Sequence, residues 1–198
     1  MKRNAFSLLE LLICMALMMI LFVMANSFGS KSYQDRQKIA CEKNLQTIHV
    51  ALKIYAMENK SAFPYLPGAV SSEAPLSALV PRYTSVTGIF ICPGSKDKAL
   101  PEAKPFVNRK ISYAYATGLT TQSEGGRVLV ADEIVSAGDK APGELIFSPD
   151  GQKPANNHHK YGGNLLFVDG RVAASPAYAD YEIHFDSGVV LLNPKPTP

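Results

Sequence analysis

A chain of 198 residues with a formal net charge of +3 carries its Lys and Arg scattered among acidic residues. That pattern offers no basic block or stripe to a phosphate backbone, so no nucleic-acid partner is expected. Three cysteines without a CxxC pair do not indicate a zinc ribbon. Once an N-terminal helix is set aside, about 140 residues remain, enough for one modest domain.

The first thirty residues organise the rest. From Leu8 to Ala25 the chain is apolar except for Glu10. Twenty helical residues span about 30 Å, the thickness of a bilayer's hydrocarbon core, so this run can cross a membrane. An ionised Glu at mid-membrane costs about 3 kcal/mol, so Glu10 needs a partner. A secretory signal peptide, cut after Val23-Met24-Ala25, would suit Lys2 and Arg3 but has a shorter apolar run and no internal acid. A plain signal anchor suits the length and leaves Glu10 unexplained.

The residues Lys2-Arg3-Asn4-Ala5-Phe6-Ser7-Leu8-Leu9-Glu10-Leu11 resemble the class III leader of type IV pilins and type II secretion pseudopilins. The resemblance implies cleavage by a prepilin peptidase between Ala5 and Phe6, N-methylation of Phe6, and a role for Glu10 in assembly. That family usually has Gly where this chain has Ala5, which keeps the residue small. A physical reason for Glu10 follows: in a staggered bundle, the Phe6 ammonium of an incoming chain can sit beside its neighbour's Glu10, so that neither charge is buried alone.

Asn26-Ser27-Phe28-Gly29-Ser30 are poor helix formers, and a bend or melted turn is expected there. Helix resumes from about 32 to 59, where Cys41, Leu45, Ile48, Leu52 and Tyr55 fall on one stripe at intervals of three and four. Phe63-Pro64 and Leu66-Pro67-Gly68 end it. Residues 61–110 read as a loop-rich connector with a short helical candidate at 75–80, pinned by Ile89-Phe90-Ile91-Cys92-Pro93. Strands are expected at 111–116, 127–131, 144–147, 164–168, 171–174, 182–185 and 189–192. Asp169-Gly170 predicts a two-residue type I′ hairpin turn, and Asp186-Ser187-Gly188 a second hairpin. No internal repeat is visible.

The expected fold is therefore α+β. A long N-terminal helix, transmembrane in its first half and amphipathic in its second, packs on a C-terminal antiparallel sheet, as in pilins. The expected divisions are a leader at 1–5, a membrane half-helix at 6–30, an amphipathic half at 31–60 and a head at 61–198, with its sheet within 111–192.

A second resemblance spans the chain. Cys41-Glu42-Lys43-Asn44-Leu45-Gln46-Thr47-Ile48, Tyr55, Phe63-Pro64, Phe90-Ile91-Cys92-Pro93, and the run from His159 through Gly163-Asn164-Leu165-Leu166-Phe167-Val168 to Asp169-Gly170 are similar to one pseudopilin branch. That branch is marked by a His followed, after nine residues, by Asp-Gly.

His158, His159, Asp169, His184, Asp132 and Glu133 could suggest a metal or hydrolase set. If 164–168 is a strand, however, His159 and Asp169 lie at its two ends, roughly 15 Å or more apart, and do not share a ligand. Asp169 then reads as turn chemistry. His159 reads as closing the loop before the strand, with Asp132 its expected hydrogen-bond partner. No serine elbow, HExxH helix or phosphate-cradling loop is present, so no catalytic residue, no metal ligand and no enzyme activity are assigned. Calcium, through Asp132, Glu133, Asp139 and Asp150, is the one ion kept open.

The resulting expectation is a pseudopilin or minor pilin-like subunit in the bacterial inner membrane, single-pass, with its head in the periplasm. Its expected partners are the prepilin peptidase and other pilin or pseudopilin subunits of a type II secretion or type IV pilus-like machine. The alternatives are a membrane-tethered hydrolase or metal-binding protein using His158, His159 and Asp132, and an adhesin or DNA-uptake pilin. In an oxidising compartment a Cys41–Cys92 disulfide is expected, closing a loop of about fifty residues worth roughly 4 kcal/mol. Two buried free thiols are the alternative.

Overall fold

The computed structural model describes residues 7–196, with backbone alone over 25–31. One helix, α1 (Leu8–Glu58), runs 51 residues, about 77 Å at 1.5 Å per residue. Its hydrogen-bonded backbone continues through 26–30, so the expected break is not formed. Gly29 costs about 1 kcal/mol there, which a helix anchored by packing on one side can absorb. The helix ends after Glu58. Lys60 and Ser61 take positive φ, and the Ser61 amide closes back on Ala56.

The two halves of α1 differ in what surrounds them. From Ser7 to Met24 every side chain is exposed. The described apolar run stops at Met24, and among the described residues no helix is long and apolar enough to cross a membrane. In the second half Cys41, Leu45, Ile48 and Leu52 are fully buried, joined by Ala51 and Ala56, and Tyr55 is partly buried against the same core. The predicted stripe is thus the face that packs on the head.

The head is a five-stranded antiparallel sheet in the order β4-β3-β2-β1-β5. Its strands are β1 (Tyr113–Thr117), β2 (Val128–Asp132), β3 (Gly163–Phe167), β4 (Val172–Ser175) and β5 (Val190–Leu192). β1, β2 and β3 are buried at every position. Both sheet faces are therefore covered, one by α1 and the other by apolar side chains of connecting segments, such as Ile134, Ile146 and Ile183. Before the sheet come a short helix, α2 (Glu73–Ser77), and a 3-10 turn at Thr87–Phe90, which also packs on α1.

Two predicted strands are absent. Residues 144–147 and 182–185 make only single bridges, Leu145 with Tyr178 and Lys140 with Ile183. They are outer cover, held by a few backbone bonds, and the short apolar runs that suggested strands are the side chains that face the sheet. The turn at 186–188 is present, with the Val189 amide bonded to Asp186 O at 2.9 Å, but it leads from this cover into β5 and does not join two paired strands. The β3–β4 hairpin forms where expected with a different loop. The Gly170 amide bonds to Phe167 O and the Phe167 amide to Arg171 O, both at 2.9 Å, which leaves three loop residues, 168–170. Only Gly170 has positive φ, at +93°. This is a type I turn closed by a left-handed Gly, and Asp169 is not in the left-handed region that type I′ would require.

Candidate functional site

At the N-terminus, Ala5 and Phe6 lie outside the described residues. Glu10 lies in the first turn of α1, its amide 3.0 Å from Ser7 O. A carboxylate in a first turn interacts favourably with the helix dipole. Around it, Leu8, Leu9, Leu11 and Leu12 are 58–81% exposed, so among the described residues the acid stands on an uncovered apolar surface.

The second site lies where α1 meets the sheet. β1 and β2 pair Tyr113 with Asp132, and both side chains turn toward α1, where Cys41 lies on the buried stripe. The Cys41 thiol donates to Asp132 Oδ1 at 3.2 Å and lies 3.2 Å from Tyr113 Oη. On the other side, Cys92 Sγ lies 3.3 Å from His158 Nε2, which is 3.2 Å from Asp132 Oδ2. All four potential ligand atoms, from Cys41, Cys92, Asp132 and His158, lie within 4.8 Å of one another, and all four residues are buried. No ion is present.

Local backbone geometry aims each group. The Gly94 amide donates to Cys92 Sγ at 3.4 Å. A Cβ at Gly94 would fall 2.4 Å from Asn157 O and 2.7 Å from His158 Nδ1, so only Gly lets this loop close on the imidazole. Asp132 accepts from Asn157 Nδ2 at 2.9 Å on Oδ1 and from the Asn164 amide at 2.8 Å on Oδ2. The Asn164 side chain in turn donates to Lys38 O of α1. At the turn before β3, His159 takes φ of +57°. His158 then points inward and His159 outward.

The electrostatics follow from burial. Burial pushes the Cys41 thiol well up and the Cys92 thiol up, so both are protonated. Burial opposes the Asp132 charge, but His158, Asn157 and the Asn164 amide hold its carboxyl below the usual range. Burial would also lower His158, yet the Asp132 charge and hydrogen bond raise it to about 9. The pair is therefore ionic.

Of the six residues weighed as a metal or hydrolase set, His158 and Asp132 are the pair that meets. The expected His159–Asp132 bond is not formed; the adjacent histidine takes that place. His159 is exposed and its ring lies against Gly151, where an added Cβ would come within 2.6 Å. Asp169 caps its own turn by accepting from the Arg171 amide at 2.9 Å, and no described contact joins it to His159. Glu133 pairs with Lys110 at 3.2 Å, and His184 with Asp139 at 2.7 Å. Asp150 accepts from Ser148 and from the Gln152 amide. The four carboxylates considered for calcium thus have separate partners. The expected disulfide is not formed either: Cys41 and Cys92 are free thiols, each with its own polar neighbours, as in the alternative. What the sequence did not indicate was that both cysteines join His158 and Asp132. The available signal was a polarisable cysteine on the core stripe of α1 and a second one in an apolar segment.

Beside the buried group a polar cleft of about 670 Å³ opens, lined in part by Gly94, Asn157, His159, Lys110 and Glu133. Gly94 and Asn157 belong to both, so the cleft reaches the edge of the cluster.

Residues 1–26 match the family described as the prokaryotic N-terminal methylation motif. The match covers the leader and the apolar half of α1 and stops before the head. No curated protein and no solved structure matches the chain.

Proposed function

We propose that this protein is a pilin-like subunit, cut by a prepilin peptidase between Ala5 and Phe6 and assembled through the first half of α1 into a filament. It belongs, on this reading, to a type II secretion or type IV pilus-like machine, as a pseudopilin or minor pilin of the branch with the His159 and Asp169-Gly170 signature. It sits in the bacterial inner membrane as a single span, with its head in the periplasm.

The observation that carries the reading is a methylation motif opening onto a helix whose apolar side chains from Leu8 to Met24 are exposed all round. Fourteen large apolar side chains between Leu8 and Met24 are at least 50% exposed. At about 1.5–3 kcal/mol each for burial, leaving them in water forgoes on the order of 20 kcal/mol. Lipid before assembly and neighbouring α1 helices after it are the environments that recover this. Glu10 then becomes the selective element, because an acid in such a bundle is tolerated only beside a cation, and the new Phe6 ammonium is one.

The rival hydrolase reading gains no support from the head. His158 and Asp132 are fully buried and bonded to each other, with no exposed face for a substrate.

Mass spectrometry of the mature chain tests the proposal directly. The expected N-terminus is N-methylated Phe6; a chain beginning at Asn26 refutes it. Glu10→Ala should still be inserted and cleaved but should be excluded from filaments when expressed beside the unaltered chain, as read by immunogold electron microscopy. Normal incorporation would show that the charge pair does not select subunits.

A further inference from the structure

We propose that Cys41, Cys92, Asp132 and His158 form a closed, four-coordinate site for a divalent ion of the zinc type, which fastens α1 to the sheet of the head. The four residues come from four separate parts of the fold: the buried face of α1, the segment after the Thr87–Phe90 turn, the end of β2 and the loop before β3. Nothing in their spacing along the chain is local. They meet only in the folded head.

The separations suit such an ion. Tetrahedral coordination with bonds of about 2.0–2.3 Å places ligand atoms about 3.3–3.8 Å apart. Here Cys92 Sγ to His158 Nε2 is 3.3 Å, Asp132 meets Cys41 Sγ through Oδ1 and His158 Nε2 through Oδ2, each at 3.2 Å, and with one ligand atom from each residue every pair lies within 4.8 Å. Binding an ion through one Asp132 oxygen draws the widest of these pairs in by about an ångström. Two sulfurs, one imidazole and one carboxylate favour zinc over calcium or magnesium, which take oxygen ligands.

The surroundings are also those of a coordination site. Three of the four ligands have a supporting contact independent of the ion: Tyr113 Oη on Cys41, the Gly94 amide on Cys92, and Asn157 and the Asn164 amide on Asp132. His158 is the informative case. Its Nδ1 is buried with no described partner, so its ring is oriented through Nε2 alone, toward Asp132 and Cys92. A ring held in this way by two other potential ligands is already aimed at the point an ion would occupy.

Binding releases the Cys41 and Cys92 thiol protons and the His158 Nε2 proton, and the ion takes the place of the two hydrogens that face the carboxylate. Asn157 and the Asn164 amide keep their bonds to Asp132. Gly94 and Asn157, which flank the group, also line the polar cleft.

A disulfide makes less use of the arrangement. It would need the sulfurs about 2.05 Å apart and would withdraw both from an imidazole and a carboxylate that have no access to water. Coordination uses all four groups.

The test uses the full chain in detergent, carrying Cys14→Ala so that only Cys41 and Cys92 can report, purified without chelator from cells that export it. Expected are about one zinc per chain by plasma mass spectrometry, and two thiols that react only after denaturation with EDTA. The same chain made in cobalt-supplemented, zinc-depleted medium should show sulfur-to-cobalt charge transfer and the intense visible bands of a tetrahedral ion. Cys92→His, which keeps a ligand, should retain the metal while charge transfer falls about twofold. His158→Gln should lower zinc occupancy at least tenfold against a competing chelator. Metal-free chain with two free thiols overturns the proposal, as does metal-free chain with a disulfide. Zinc retained by a Cys41→Ser, Cys92→Ser double variant places the ion elsewhere and also overturns it.

Discussion

Replacing Gly170 by Ala tests how the β3–β4 turn is tied to α1. Gly170 holds φ of +93°, which costs an L-residue about 1–2 kcal/mol. The new Cβ would lie 2.6 Å from His49 Cε1 and 2.9 Å from its Nδ1. The imidazole would have to move, and its 3.2 Å contact from Nε2 to Val168 O would be lost, at about 0.5–1.5 kcal/mol. Together these give about 2–3 kcal/mol, and for a chain of this size about 5–10 °C in Tm. The near-UV circular dichroism of the tyrosines, several of them buried in the head, follows the transition. Gly170→Asn should recover part of the loss, because Asn tolerates positive φ better than Ala. Adding His49→Ala to Gly170→Ala should reduce the cost of the Gly170 change to its backbone part. A Gly170→Ala midpoint within 2 °C of the unaltered chain would refute both the turn assignment and its coupling to α1.

Leu45→Ala, which empties a fully buried position on the α1 stripe, should cost about 2–5 kcal/mol in urea unfolding, whereas Ile39→Ala, at a position 66% exposed, should stay within about 0.5 kcal/mol. His49 provides a pH test. Burial lowers its pKa below 6.5, with Lys53 acting the same way and the Val168 carbonyl and Asp169 opposing. The unfolded chain therefore binds the proton more readily than the folded one. His49 favours the folded state fully above about pH 6.5, and that contribution is lost as pH falls from there through the folded pKa. Urea midpoints at pH 7.5 and 5.5 should accordingly lie closer together in His49→Gln than in the unaltered chain; an equal or wider gap would show that His49 is not the group responsible.

The fold was legible where one physical requirement dominated. The Cys41, Leu45, Ile48, Leu52 stripe could only be a helix face, and it is the face that packs on the sheet. Five of the seven expected strands formed within a residue or two of their expected bounds. The two that did not, 144–147 and 182–185, are apolar for the same reason that strands are, since they cover a sheet face, but they pair through single bridges. Hydrophobic pattern reports burial and does not distinguish a strand in a sheet from a segment lying over one. The uninterrupted α1 has a similar origin: residue propensity at 26–30 argued for a break of a few kcal/mol at most, and the helix on either side is long enough to carry the backbone through.

The site was less legible because its parts depend on small choices of backbone direction. His158 and His159 are neighbours with the same side chain, and only the positive φ of His159 decides which of them enters the core. Asp132 follows an apolar strand and could be placed at a sheet end from sequence, but its partner could not be chosen between two adjacent histidines. The cysteines raise the same question in another form. A cysteine on a buried stripe and another in an apolar segment were enough to bring Cys41 and Cys92 near each other, and a disulfide is the simplest consequence of nearness in an oxidising compartment. What sequence proximity could not supply was the second pair, Asp132 from the end of β2 and His158 from the loop before β3, which turns two neighbouring sulfurs into half of a four-ligand group. The same α1 that carries Glu10 on an exposed apolar surface thus carries, some thirty residues on, a sulfur of the proposed joint to the head. On the function proposed above, a subunit pulled along its helix needs both: a selective contact between helices, and a joint that keeps each helix from leaving its own sheet.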